Sequence, residues 1–130
     1  MTRVYLCGPI NGCTDAECND WRAYAKAELA KYDIGTIDPM DRDYRGREME
    51  PGIATEIVVN DKADICDSHF MIANCPKPSV GTSMEILYAY KRGVPVVAIH
   101  PADKPPSPWL VYHADRVVYS MRDAIDWLLV

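Results

Sequence analysis

Three stretches of this 130-residue chain carry side chains that can do chemistry. The run Ser79-Val80-Gly81-Thr82-Ser83-Met84-Glu85 is a small-residue turn leading into an apolar-periodic segment. A turn of that kind at a helix N-terminus presents unpaired amides and a positive dipole end, which suits an anion. Gly81 permits close backbone approach, and Ser79, Thr82 and Ser83 add hydroxyls. Glu85 falls in the first turn, where an acid stabilises the dipole by roughly 0.3–1 kcal/mol whatever else it does. Asp61 shares a stripe with Ile57 and Ile65. An acid on an apolar stripe either ends the helix in water or points into a site. Tyr5 lies in a β-prone run, where it either packs in the core or reaches a carboxylate at the strand end. Two carboxylates flanking a sugar, one nucleophilic and one acidic, are what cleavage of a glycosidic bond requires.

The elements that position these groups follow from local signals. Arg3–Cys7 reads as a first strand, stopped by Gly8-Pro9. Thr14 and Glu17 form a capping box for a helix over about Asp15 to Lys31, with Cys18, Trp21, Ala25 and Leu29 facing a sheet. Ile34–Ile37 is a short second strand. Residues 38–52 form a charged loop, and Ile53–Cys66 a second helix. His69–Asn74 is the third strand. A third helix starts near Thr82 and ends at Arg92-Gly93, where glycine supplies the left-handed cap. Val94–Ile99 is a fourth strand covered on both faces. Trp109–His113 reads as one helical turn, Arg116–Tyr119 as a fifth strand, and Ser120 caps a last helix over Met121–Leu129.

Strands alternating with helices call for a parallel sheet with helices on both faces. The expected fold is therefore α/β, a flavodoxin-like doubly wound sheet of order 2-1-3-4-5 in a single domain over residues 1–130. Ligands in that order bind beyond the carboxyl ends of strands 1 and 3. The turn after strand 1, with Gly8, Ile10 and Asn11, meets the Ser79–Glu85 segment there.

Composition narrows the partners. Lys plus Arg total 14 against 19 Asp plus Glu, a formal charge of −5, which disfavours a nucleic-acid polymer. Hydrophobic residues make up 48%, so a core is affordable, but no apolar run is long enough to span a membrane. The N-terminus lacks a secretory pattern, and a cytoplasmic location is expected. Five scattered cysteines and three scattered histidines show no metal-ligand spacing, and neither a metal nor an organic cofactor is expected.

Tyr5–Gly12 (YLCGPING), Asp38–Gly46 (DPMDRDYRG), Asp61 and Ser79–Tyr90 (SVGTSMEILYAY) together resemble the nucleoside 2-deoxyribosyltransferase family, which includes 2′-deoxynucleoside 5′-monophosphate N-glycosidases. The resemblance runs from residue 3 to about 120. It implies Glu85 as covalent nucleophile, Asp61 assisting at the base and Tyr5 orienting the nucleophile. It also places Asp43, ahead of Tyr44-Arg45-Gly46, against the base. The other reading of Asp43 is a solvated carboxylate paired with Arg42 or Arg45. A homo-oligomer, at least a dimer, is implied as well, with a neighbour completing the site.

The pattern departs from the nucleoside transferases at two places. Their Asp six residues before the nucleophile is Ser79 here, and their neighbour-supplied Asn corresponds to Ser107. A carboxylate there repels a 5′-phosphate, whereas a hydroxyl donates to one. Met84 beside Glu85 points the other way, toward the transferases. The serines touch the group that distinguishes the substrates, so a deoxynucleoside monophosphate is the expected small-molecule partner. Transfer between free nucleosides and a non-catalytic nucleotide sensor are the alternatives. Arg42, Arg45 and Arg47 are left as phosphate clamp, lid or solvated charges.

Overall fold

A computed structural model describes residues 1–130. Five parallel strands, β1 (Arg3–Cys7), β2 (Gly35–Ile37), β3 (Phe70–Asn74), β4 (Val96–Ile99) and β5 (Arg116–Val118), form one sheet of order β2-β1-β3-β4-β5. The helices are α1 (Asp15–Ala30), α2 (Ile53–Cys66), α3 (Val80–Arg92), α4 (Pro108–His113) and α5 (Met121–Leu129). A 3-10 turn, Pro39–Asp41, breaks the charged loop. The expected architecture and strand order are the observed ones.

Strand alternation sorts the side chains onto two faces. Tyr5, Cys7, Met71, Ala73, Val96 and Ala98 pack with Ile65 of α2 and with Ile86 and Ala89 of α3. Val4, Leu6, Ile72 and Val97 pack with Ala25 and Leu29 of α1 and with Ala124 and Ile125 of α5. Burying an aliphatic side chain of this size contributes roughly 1.5–3 kcal/mol, so both faces hold the sheet. The alternation also decides function. Tyr5 and Cys7 point to the same face as the helices that carry Asp61 and Glu85.

Caps fix the helix starts. Thr14 and Glu17 make the full capping box of α1. Ser79 accepts from the Thr82 amide and starts α3 at Val80, two residues earlier than expected, because the cap rather than the first apolar residue sets the boundary. Gly93 closes α3 at φ 73°, a left-handed cap. β4 begins at Val96 rather than Val94, after Pro95, which has no amide to give to the ladder.

On α1 the buried face is Cys18, Arg22, Ala25 and Leu29; Trp21 is only part-buried. Arg22 is 1% exposed, an arginine in a place where the expected stripe put an aromatic. It is a clip between strand ends. Its Nη1 donates to Cys18 O at 2.7 Å and its Nη2 to Gly8 O at 3.1 Å. Its Nε faces Leu6 O at 3.4 Å and the Asp38 carboxylate at 3.5 Å. Asp38 in turn accepts from Met40 N and pairs with Lys26. The loops leaving β1 and β2 are thus tied to one buried cation.

Candidate active site

A cleft of about 190 Å³ opens beyond the carboxyl ends of β1 and β3. Gly8, Ile10 and Asn11 come from the turn after β1, Ser79, Gly81, Thr82 and Glu85 from the start of α3, and Asp61 from α2. These expected residues therefore meet in one place. Gly8 is fixed there by close packing: a Cβ on it would lie 2.6 Å from Trp21 Cζ2.

Glu85 sits one turn into α3 and shares the wall with Asp61. Burial, and then the negative charge of Asp61, raise its carboxyl to about 7. Asp61 is also raised, first by burial, while hydrogen bonding from Glu85 and the Arg42 charge pull it back. Both carboxyls are raised, and two acids this close titrate as a pair. Below them lies Tyr5, 0% exposed, whose hydroxyl has no well-aligned hydrogen-bond partner. Burial, and then the Glu85 charge, push its phenol far above the ordinary range. It lies beside Glu85. The Cys7 thiol, donating to Thr82 O at 3.8 Å, is also raised by burial and then by Glu85. Cys7 was not singled out from the sequence, where a strand cysteine carries no signal beyond its alternation with Tyr5.

The loop after β2 forms the opposite wall with Pro39, Met40, Arg42, Tyr44, Arg45 and Glu48. Asp43 does not line the cleft. Its carboxylate accepts from the Arg45 amide and guanidinium, and the Arg45 hydrogen bonds hold it at about 2. Arg45 also pairs with Asp15 at 2.6 Å. Arg47 pairs with Glu50 on the surface. Arg42 donates to Asp64 and stands 3.6 Å from Asp61. Tyr44 accepts from Asn60 Nδ2 at 3.1 Å.

Ser83 and Ser107 lie outside this cleft. Together with Ser79 and Thr82 they line a neighbouring cavity of about 310 Å³, which also holds Lys77, His100 and Lys104. Ser107 thus reaches the Ser79 turn of its own subunit, where its hydroxyl caps α4 by accepting from Trp109 N. No group of three or more His, Cys, Asp or Glu side chains is placed to hold a metal ion. No helix is long and apolar enough to cross a membrane.

Over 49 residues the chain is 39% identical to a Methanococcoides burtonii protein named a candidate 2′-deoxynucleoside 5′-phosphate N-hydrolase 1; the match spans 38% of this chain and 40% of that relative's length. A conserved protein from Enterococcus faecalis V583 superposes with a TM-score of 0.78 at 21% identity, over 97% of this chain and 96% of that one. The 2-deoxyribosyltransferase of Bacillus psychrosaccharolyticus gives 0.77 at 16% identity, over 95% and 90%. The CMP N-glycosidase BcmB of Clostridium botulinum gives 0.57 at 15%, over 99% and 100%. The structural likenesses show the shared fold. The family model described as nucleoside 2-deoxyribosyltransferase matches residues 4–118, and the chain belongs to that family.

Proposed function

We propose that the chain is an enzyme that cleaves the N-glycosidic bond of a 2′-deoxynucleoside 5′-monophosphate, releasing the base and deoxyribose 5-phosphate. The observation that carries this is the Glu85–Asp61 pair, two part-buried carboxyls lining one cleft beside a serine-lined turn and both raised by burial; sharing one proton, they serve as nucleophile and acid. Once its proton has passed to Asp61, Glu85 attacks C1′ and forms a glycosyl ester through an oxocarbenium-like transition state. Asp61 then protonates the departing base nitrogen. The Tyr5 hydroxyl donates to Glu85 as it ionises. Water hydrolyses the ester in the second step. The 5′-phosphate rests on the Ser79, Thr82 and Ser83 hydroxyls and the amides that the Ser79 cap leaves free at the start of α3, with Ser107 from a second copy or its own chain.

Two features support the phosphorylated substrate. The turn has a serine where a carboxylate would repel phosphate, and the adjacent cavity holds Lys77 and Lys104. The named relative from Methanococcoides burtonii fits the same reading. The second reading, base exchange on free deoxynucleosides, has Met84 and the structural likeness to a 2-deoxyribosyltransferase in its favour. A homo-oligomer in the cytoplasm belongs to the proposal. Trp109, Val111 and Tyr112 are 76%, 52% and 70% exposed, an apolar face that packing within the subunit leaves open. A sedimentation measurement reading a monomer would remove the oligomer.

The test is a panel of deoxynucleosides and their monophosphates, each with and without a second base, scored by chromatography. Free base from monophosphates alone is expected. Base exchange on unphosphorylated nucleosides would favour the second reading, and no release from any of them would leave a binding protein.

A further inference from the structure

Arg42 stands outside the carboxyl pair yet touches it. From the loop after β2 its Nη2 donates to Asp64 Oδ2 and lies 3.6 Å from Asp61 Oδ1. Asp61 and Asp64 are three residues apart on α2, so one guanidinium faces both. Its Nε is buried and has no partner. The groups facing Asp61 are Glu85 from α3, Tyr5 from β1, Asp64 from its own helix and Arg42 from the loop. Arg42 is the one cation within ion-pair distance of Asp61. Tyr44, from the same loop, faces Arg42.

We propose that Arg42 is a positioning residue for the cleavage: clamped by Asp64, it holds the Asp61 carboxyl in place and sets which of the two acids carries their shared proton. The inference rests on the Glu85–Asp61 reading of the site. A cation beside Asp61 favours its charged form and so draws negative charge to that acid. Cleavage needs the opposite distribution. The proton passes to Asp61, a Glu85 oxygen bonds to C1′, the C1′–N bond breaks with its electron pair going to the base, and Asp61 gives the proton to that nitrogen. No other reactant is consumed. Held by Asp64, Arg42 stands beside Asp61 and sets how readily that carboxyl takes the proton. Asp64 therefore belongs to the same device, although it does not line the cleft.

The experiment titrates the Asp and Glu carboxyl carbons of the full chain by NMR, in wild type, Arg42→Gln and Arg42→Lys, beside the pH dependence of base release. Removing the cation is expected to raise the Asp61 titration by about one pH unit and to move both limbs of the kcat/KM profile to higher pH. Lysine restores most of the wild-type profile. An Asp61 titration that stays put in Arg42→Gln, or an equal rate loss in both variants at every pH, overturns the proposal. Should Arg42→Gln unfold, Asp64→Asn is the second variant. It leaves the guanidinium to Asp61 alone and is expected to lower the Asp61 titration; no movement there overturns the proposal too. Failure of the wild-type chain to release base from any substrate would sink the cleavage reading instead, and the carboxyl titration separates the two outcomes.

Discussion

The Glu85 carboxyl on α3 and the Asp61 carboxyl on α2 line one cleft, and burial raises both above the ordinary carboxyl range. Each acid alone is an ordinary helix residue. In the proposed cleavage their apposition makes one a nucleophile and the other an acid.

Replacing Glu85 with Ala is expected to lower base release by about a thousandfold or more while binding of a deoxynucleoside monophosphate persists. Single-turnover release and calorimetric titration measure the two effects separately. Loss of binding with turnover retained would remove Glu85 from the chemistry.

Base release should fall as pH rises through about 7, where the pair loses its proton and with it the acid for the base. The kcat/KM profile of wild type checks this. Asp61→Asn should remove that alkaline limb and lower the rate throughout.

The same group makes folding depend on pH. The folded carboxyl of Glu85 titrates near 7 against 4.5 ordinarily, so between those values the folded state binds more protons than the unfolded one. Its stabilising contribution is complete below the lower value and lost as pH rises through the upper one. Glu85→Gln should therefore flatten stability over that interval, by on the order of 2 kcal/mol in urea melts at pH 8 against pH 5. Parallel curves for the two proteins would contradict the raised value.

Tyr5→Phe removes a buried hydroxyl that has no aligned partner in the empty cleft. Stability is expected to hold or rise slightly, because no satisfied hydrogen bond is lost. The rate should drop about 10- to 100-fold with KM little changed, since the donor serves the ionised Glu85. Thermal melts and steady-state kinetics together test this.

Ser79→Asp preserves the cap of α3, because either side chain accepts from the Thr82 amide. The added charge faces the phosphate position. Use of monophosphates is expected to weaken about 10- to 100-fold while free deoxynucleosides are unaffected or improved. Equal effects on both would take the phosphate away from this turn.

Sequence by itself determined the alternation of strands and helices, the caps at Thr14, Ser120 and Gly93, and the switch point at which Glu85, Asp61 and Tyr5 converge. Those signals are local: period, capping chemistry and turn residues lie within a few positions of one another, and parallel crossovers leave few ways to join them. Tertiary structure decided the rest. Arg22 stands outside the stripe expected for α1, and only the fold brings backbone carbonyls and Asp38 onto it. Asp43 carries two readings in the sequence, a contact to the base or a pair with Arg42 or Arg45, and only the folded loop shows its carboxylate on Arg45. Arg42 finds Asp64 at a sequence distance of 22 residues, and only the packed loop brings that charge against Asp61. Charges separated along the chain interact through the dielectric and distance of the folded state, and neither of these is written in a local pattern.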